Sequence, residues 1–286
     1  MSLPHQTTVG AVALTVSDLE RSLAYYQNNL GLALQRRENG TAWLGAWQSD
    51  AKHRPFLILT EQPGARHPGR ATGLYHFAIL TPSRLALAKT LRQLAETKTP
   101  VSGFADHGVS EAIYLSDPDE NGIEIYRDRP REEWPFENGK LQMVSDPLDL
   151  EGILSELQGK DEPWTGLHPD TVLGHMHIHV ANLPEAVQFY RDVVGFDLMQ
   201  YFGNSAGFLS AGGYHHHLGV NTWNGVGAHP PPPGSVGLRW YTIILPNQEE
   251  LDRVADRLKT SGTPIEERAE GLFFRDPSQN GVILTA

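Results

Sequence analysis

The chain contains no cysteine among its 286 residues. This absence excludes disulfide bonds, thiolate catalysis, and zinc or iron–sulfur sites with cysteine ligands. A bound metal ion would therefore need histidine and carboxylate ligands. The chain has 13 histidines, and several of them cluster.

The sequence also lacks an excess of positive charge and a long apolar segment. Its 23 Lys and Arg against 34 Asp and Glu give a net charge of −11, so we expect neither nucleic acid nor an anionic membrane surface as a partner. No apolar run reaches the ~18 residues of a membrane-spanning helix, and no signal-type pattern opens the sequence. We therefore expect a cytoplasmic protein with no membrane partner.

What the sequence does contain is an internal repeat at an offset of 164 residues. Val16–Gly31 (VSDLERSLAYYQNNLG) matches Val180–Gly195 (VANLPEAVQFYRDVVG), and Gly73–Pro82 matches Gly237–Pro246. Later in each half, the motif DPDENG recurs as DPSQNG after a short deletion. The two halves are copies of each other.

Each half divides again into two modules with the order strand, helix, three strands. Alternating apolar residues mark the strands, while Asp18 is suited to cap the first helix and Gly31 to end it. We predict an α+β fold of four βαβββ modules, at residues 9–62, 73–127, 172–225 and 236–286. The predicted domains are residues 7–130 and 172–286, joined by a linker at 131–171 with a short helix near Leu148–Leu157.

The stretch Asp106–Tyr126 (DHGVSEAIYLSDPDENGIEIY) predicts a β-hairpin around the turn DPDENG. Centring the turn places Tyr114 opposite Glu124 on one face of the hairpin. A carboxylate between Ile123 and Ile125 needs a partner if it faces inward, because an unpaired buried charge is costly. A metal ion is one such partner.

Equivalent positions of the four modules differ in a way that supports a metal site. The inward position on the first strand holds, in module order, Ala11, His76, His175 and Trp240. The matching position on the last strand holds Glu124 in the first half and Ile283 in the second. Two histidines and one carboxylate suit non-haem Fe(II), and also Mn(II), Ni(II) or Zn(II). The set is complete only if the second module faces the third, which we predict within one chain; a domain-swapped dimer is the alternative.

Three motifs carry a resemblance to a known family: GLYHFAI (73–79), the hairpin at 106–126, and SAGGYHHHLGVNTW (210–223). They resemble the vicinal oxygen chelate superfamily (glyoxalase, bleomycin resistance protein and extradiol dioxygenase), and within it the bacterial catechol 2,3-dioxygenases. The resemblance covers almost the whole chain. It implies curved sheets that enclose a metal, with His76, Glu124 and His175 as ligands.

The same resemblance implies roles for three further residues. His216 takes the position of an acid–base histidine, Tyr114 that of a tyrosine bound to a substrate oxygen, and His107 that of a further polar contact. In the best-known extradiol enzymes both active modules lie in the C-terminal half, whereas here Trp240 and Ile283 occupy two of its ligand positions. His177 and His179 are interpreted as residues that surround the ligands or pack in the core, and Trp223 and Trp240 either line a cavity or fill the half without ligands.

The function implied by the resemblance is an Fe(II)-dependent extradiol ring-cleaving dioxygenase, an oxidoreductase of aromatic hydrocarbon catabolism. It would insert O2 into catechol or a substituted catechol to give a muconic semialdehyde, with a small aromatic diol and O2 as partners. The oligomeric state, homo-oligomer included, stays open. Two alternatives are a glyoxalase-I-like lyase or thiol transferase with a redox-inert metal, and a non-catalytic binding protein that needs no triad.

Overall fold

Two eight-stranded β-sheets form the framework of the protein, whose computed structural model describes residues 2–46, 54–160 and 162–286. Each half of the sequence contributes one module to each sheet. The first sheet joins modules 1 and 4, and the second sheet joins modules 2 and 3. The α+β fold with four βαβββ modules is confirmed.

The helices and strands fall in the predicted order. Module 1 comprises β1 (Thr8–Val16), α1 (Leu19–Asn28), β2 (Ala33–Glu38), β3 (Thr41–Gly45) and β4 (Leu57–Glu61). Module 2 comprises β5 (Gly73–Leu80), α2 (Arg84–Glu96), β6 (Val101–Asp106), β7 (Ser110–Ser116) and β8 (Gly122–Asp128). The connection holds a 3₁₀ turn (Arg131–Glu133), β9 (Phe136–Glu137), β10 (Lys140–Leu141) and α3 (Leu150–Ser155).

The second half repeats this order. Module 3 comprises β11 (Val172–His179), α4 (Leu183–Gln188) continued by a π-helical turn (Phe189–Val194), β12 (Asp197–Phe202), β13 (Ala206–Ser210) and β14 (Leu218–Asn221). Module 4 comprises β15 (Gly237–Ile244), α5 (Gln248–Thr260), β16 (Glu266–Arg268), β17 (Gly271–Arg275) and β18 (Gly281–Thr285).

The first strands of paired modules meet at the centre of each sheet. The strand order is β16-β17-β18-β15-β1-β4-β3-β2 in the first sheet and β12-β13-β14-β11-β5-β8-β7-β6 in the second. In each sheet the two central strands are antiparallel to each other, and each runs parallel to the last strand of its own module. Modules 2 and 3 therefore pair within one chain. The domain boundaries at 7–130, 131–171 and 172–286 remain a proposal.

Local signals in the sequence set the helix ends. The Asp18 side chain accepts a hydrogen bond from the Arg21 backbone N at 2.9 Å, so α1 begins at Leu19 as predicted. The Ser83 side chain caps α2, so this helix begins at Arg84. Among the described residues, no helix is both long and apolar enough to cross a membrane.

The DPDENG and DPSQNG turns are anchored in the same way. Buried Asp117 accepts hydrogen bonds from the backbone of Asn121 and from the Tyr26 hydroxyl at 2.8 Å. Asp276 accepts from the Tyr190 hydroxyl at 3.0 Å. Each tyrosine comes from a helix of the other sheet, so the turns tie the two sheets together.

Candidate metal centre and active-site cavity

Three neighbouring strands of the second sheet bring the predicted ligands together. His76 lies on β5, Glu124 on β8 and His175 on β11, and both Glu124 and His175 are in register with Ala78 of β5. Gly122 permits the close approach of β8 to β5, because a Cβ at this position would lie 2.0 Å from the Tyr75 carbonyl oxygen. The register thus places one carboxylate between two imidazoles.

The three side chains converge on one buried point. The Oε2 atom of Glu124 lies 3.0 Å from Nε2 of His76 and 3.2 Å from Nε2 of His175. One ligand atom from each residue lies within 4.8 Å of the other two. The Nε2 atom of His76 lacks hydrogen-bond geometry to any partner among the described residues. The three ligand atoms therefore surround one common point without fully satisfying one another's hydrogen bonds. A metal site requires this arrangement.

A second buried carboxylate on the same hairpin shows what Glu124 lacks. Glu111 is fully buried and binds the guanidinium groups of Arg84, Arg127 and Arg129. Among the described residues no lysine or arginine pairs with Glu124, and its ion-pair partners are only the two imidazoles. A buried carboxylate without a fixed cation fits a bound divalent metal, so the residues present suit such an ion.

Burial and mutual contact set the protonation of this group. Burial lowers the pKa of His76 and of His175, and Glu124 offsets this only in part. Burial alone would raise the pKa of Glu124, but the charge and hydrogen bond of His175, with a smaller effect of His76, hold it well below its usual value. Neutral imidazoles beside an ionised carboxylate are the forms that bind a metal ion.

Tyr114 and His107 stand beside the carboxylate. Tyr114 is directly opposite Glu124 in the hairpin, as predicted. The Val144 carbonyl accepts a hydrogen bond from Nδ1 of His107 at 2.7 Å, so in this tautomer Nε2 accepts one from the Tyr114 hydroxyl at 2.6 Å. Burial, followed by the negative charge of Glu124, raises the pKa of Tyr114 well above its usual value. The phenol therefore stays protonated and is oriented by His107.

The histidine triplet lies in the loop between β13 and β14, so strand alternation does not order its side chains. The His216 ring lies 4.1 Å from the His175 ring, measured between centroids. Its Nδ1 is 2.8 Å from Nδ1 of His215, whose Nε2 is 2.9 Å from a carboxylate oxygen of Asp128. Because a carboxylate only accepts, His215 donates from Nε2, and in this tautomer its Nδ1 accepts a hydrogen bond from Nδ1 of His216. The Nε2 atom of neutral His216 is then left free to take up a proton.

Burial keeps that ring neutral. The pKa of His216 is held well below its usual value, first by burial and then by the neighbouring histidines. His217 takes no part in this chain of contacts, since its Nδ1 accepts from the backbone N of Ala211 at 3.1 Å. The three neighbouring histidines therefore point to three different partners.

A cavity of about 740 Å³ opens onto these groups. Side chains that line it include His76, Glu124, Tyr114, His107 and His216. The cavity extends from the triad along the second sheet to the start of β15 in the first sheet. Five of the six residues singled out from the sequence thus line one cavity, and the sixth, His175, contacts Glu124 behind that lining, while their chemical roles remain predictions.

Sequence reasoning missed Asp128 and the hydroxyls beside it. Asp128 accepts from the Tyr214 hydroxyl at 2.9 Å, and that oxygen is 2.9 Å from the Tyr126 hydroxyl. A signal was present, because Glu124, Tyr126 and Asp128 share strand parity and therefore one face of β8. The predicted strand ended at Tyr126, whereas β8 continues to Asp128.

The remaining aromatic and histidine residues divide between the two sheets. His177 and His179 are buried beside the cavity, and Nε2 of His177 has no hydrogen-bond partner among the described residues. Trp223 lines the cavity, with its ring 5.3 Å from that of His177. Trp240 instead packs in an apolar cluster of the first sheet, so each tryptophan matches one of the two predicted alternatives.

Comparison with known proteins gives the family. The sequence profile of the Glyoxalase/Bleomycin resistance protein/Dioxygenase superfamily matches residues 8–125 and 172–284, which is most of the chain. A catechol-2,3-dioxygenase of Bacillus subtilis (strain 168) is 47% identical over 286 residues, with 99% of this chain and 98% of the relative covered. The chain belongs to this superfamily.

More distant proteins share the fold. A manganese-dependent 2,3-dihydroxybiphenyl 1,2-dioxygenase of Geobacillus genomosp. 3 is 26% identical over 283 residues, covering 94% of this chain and 81% of its own. Among solved structures, glyoxalase I from Zea mays has a TM-score of 0.61 at 17% identity, covering 98% and 92% of the two chains. A putative dioxygenase from Bacillus subtilis has a TM-score of 0.62 at 12% identity, covering 100% and 86%. At such identities the two structures show the fold alone.

Proposed function

We propose that this member of the superfamily is an extradiol dioxygenase that cleaves catechol or a substituted catechol with O2. The observation that carries the proposal is the convergence of His76, Glu124 and His175 beside a cavity that also holds Tyr114 and His216. The 47% identity to a relative named catechol-2,3-dioxygenase supports the same reaction. We propose Fe(II) as the metal, with Mn(II) as the second choice.

The three ligands would hold the metal through Nε2 of each histidine and a carboxylate oxygen of Glu124. When bound, a divalent metal of this kind supplies chelation of both diol oxygens and electron transfer from the diol to O2. The protein fixes the ligand geometry and keeps water away from the reacting atoms. Burial of all three residues, each no more than 5% exposed, serves both purposes.

Tyr114 positions the diol. Because its hydroxyl proton is directed to Nε2 of His107, its oxygen is free to accept a hydrogen bond from a substrate hydroxyl. A proton released there can pass to His107 without the phenol becoming charged. We therefore assign Tyr114 the orientation of the substrate and His107 the orientation of Tyr114.

His216 handles the second proton. Its free Nε2 accepts a proton as the diol binds and returns it as the ring opens. Both atoms of O2 end in the semialdehyde product, so the reaction needs no external reductant and the protons balance. His215 and Asp128 hold the tautomer of His216 through the 2.8 Å and 2.9 Å contacts, and the Asp128 side chain, 27% exposed, reaches solvent.

The test is anaerobic reconstitution of the protein with Fe(II) or Mn(II), followed by catechol and air. We expect a yellow ring-fission product and the uptake of one O2 per catechol. Glu124→Gln should abolish both, whereas Glu120→Gln, a matched change of another carboxylate that lines the cavity, should retain them. Turnover of a thiol or a 2-oxoaldehyde without O2 would contradict the proposal and favour the redox-inert alternative.

A further inference from the structure

The cavity is much larger than an unsubstituted diol requires. Its volume of about 740 Å³ lies in the range of pockets that enclose a whole drug-sized ligand. The triad, Tyr114 and His216 occupy one end, where the two hydroxyl groups must bind. The lining also includes Pro231 and Leu238, of which Leu238 belongs to the first strand of module 4 in the other sheet. A ring substituent is the part of a substrate that would fill the rest of the space.

Among the described residues that line this space, the permanently charged side chains have one sign. Among the described residues that line the cavity, the acidic side chains are Glu120 and Glu124, and no lysine or arginine is present. A carboxylate on the substituent would be buried without a cation and beside like charges. A neutral substituent meets neither penalty.

The walls beyond the triad are aromatic. The Tyr75 ring lies 4.9 Å from the Trp223 ring and 5.0 Å from the His177 ring, and Phe208 lies 5.7 Å from His177 on the other side. Tyr75, Trp223 and Phe202 are 38%, 43% and 52% exposed, so large apolar surfaces remain open at the mouth of the cavity. An apolar group placed between them would remove this surface from water.

We propose that the cavity selects catechols with a neutral apolar substituent, alkyl or aryl, and rejects catechols whose substituent ends in a carboxylate. This inference rests on the proposed dioxygenase function and names the substrate class of the same site. Tyr75, Phe208 and Trp223 are the specificity-determining side chains, because their rings form the walls around the substituent.

A matched pair of substrates tests the proposal. In 4-propylcatechol and 3-(3,4-dihydroxyphenyl)propionate, the side chains have the same length and two methylene groups insulate the ring from the terminal group. We expect kcat/KM at least a hundredfold higher for 4-propylcatechol with the metal-loaded enzyme. Anaerobic calorimetry should show the same order of affinity without turnover. Equal kcat/KM values, or tighter binding of the propionate, would overturn the inference.

A variant pair tests the wall itself. Trp223→Arg places a cation where the ring lies, and Trp223→Met removes the ring but keeps the site neutral. We expect the preference for 4-propylcatechol to shrink at least tenfold in Trp223→Arg relative to Trp223→Met. The same ratio in both variants would contradict the assignment. If O2 is consumed with both substrates but without preference, only this inference fails; if neither diol supports O2 uptake, the proposed function fails and the inference with it.

Discussion

The concave faces of the two sheets have the same backbone and opposite chemistry. In the second sheet the face carries His76, Tyr114, Glu124, His175 and His177. The equivalent positions of the first sheet carry Trp240, Phe273, Ile283, Ala11 and Ala13. In the first sheet Trp240, Phe273 and Ile283 pack into one apolar cluster. One face is open and polar and the other is filled, although both derive from the same repeat.

The difference separates what the repeat needs in order to fold from what the second sheet needs in order to function. Both copies keep the buried aspartate of the turn and its tyrosine partner. Both also keep a glycine at the start of the last strand, since a Cβ at Gly122 or Gly281 would collide with the neighbouring backbone. The side chains that differ are those that meet at the triad. Exchanging them between the sheets tests this separation.

The largest effect is expected from copying the first sheet into the second. Glu124→Ile reproduces Ile283 and removes the only carboxylate of the triad. We expect metal affinity to fall by about a thousandfold or more, since even loss of a group that supports a ligand costs about 10–100-fold. Activity should disappear with the metal. Metal content of the purified variant, measured by mass spectrometry, checks this result.

The same variant should stay folded. Replacing a buried charge with an apolar residue is often neutral or stabilising, so we expect the metal-free variant to match the metal-free wild type in its free energy of unfolding. Full metal occupancy in Glu124→Ile would contradict the assignment of Glu124 as a ligand. Loss of folding would instead show that the carboxylate also serves the scaffold.

The reverse change is expected to act on stability. Ile283→Glu buries a carboxylate in the cluster of Trp240 and Phe273, where Ala11 and Ala13 offer no imidazole. We expect a loss of about 3–5 kcal/mol in the free energy of unfolding, the cost of an uncompensated buried charge. Chemical denaturation measures it. Ile283→Val is the control, with an expected loss of about 0.5–1.5 kcal/mol; added metal should rescue neither variant.

Much of this contrast could be predicted from the sequence. The offset of the repeat aligned His76 with Trp240 and Glu124 with Ile283, and the parity of the hairpin placed Tyr114 opposite Glu124. These features depend on local periodicity and on comparison between the two copies of the repeat. A single sequence contains both kinds of information. The pairing of modules 2 and 3 followed because only that pairing completes the triad.

The remaining features depend on contacts between segments distant in sequence. The contact of His215 with Asp128 spans 87 residues and involves a loop, where strand alternation gives no direction. The size of the cavity and the absence of cations among its described lining residues likewise arise from the packing of both sheets. Sequence periodicity does not reveal such contacts between distant segments.

The buried aspartate that both turns share predicts a pH dependence of the free energy of unfolding. Burial raises the pKa of Asp276 from 3.8 to about 6, against the hydrogen bonds it accepts. The folded state therefore binds more protons than the unfolded state between these values, so this contribution favours folding at low pH and is lost as the pH rises through about 6. Relative to Asp276→Asn, the wild type should lose about 2 kcal/mol between pH 4 and pH 7.5. Parallel denaturation curves at both pH values measure it, and a constant difference would contradict the raised pKa.

The smallest effect is expected from a change of Asp128. This change tests whether the functional difference between the sheets extends beyond the metal ligands. From the pairing of Val12 with Leu57 and of Met176 with Leu218, Arg54 and Pro55 occupy the positions of His215 and His216 in the first sheet. Among the residues that the structure describes, the first sheet therefore lacks the histidine contacts as well as the triad.

If Asp128 holds the tautomer of His216 through His215, Asp128→Ala should lower kcat by about 10–100-fold, less than the roughly 10²–10⁴-fold that a general acid–base group itself contributes, because Asp128 acts only through His215. The KM for the diol should change little, because Asp128 does not line the cavity. Asp128→Asn keeps an oxygen that can accept from His215 Nε2 and should restore part of kcat. Tyr214→Phe is the matched control, since it removes another contact of Asp128 and leaves His215 in place. Equal losses of kcat in Asp128→Ala and Tyr214→Phe would reduce Asp128 to a structural role and confine the functional difference between the sheets to the cavity itself.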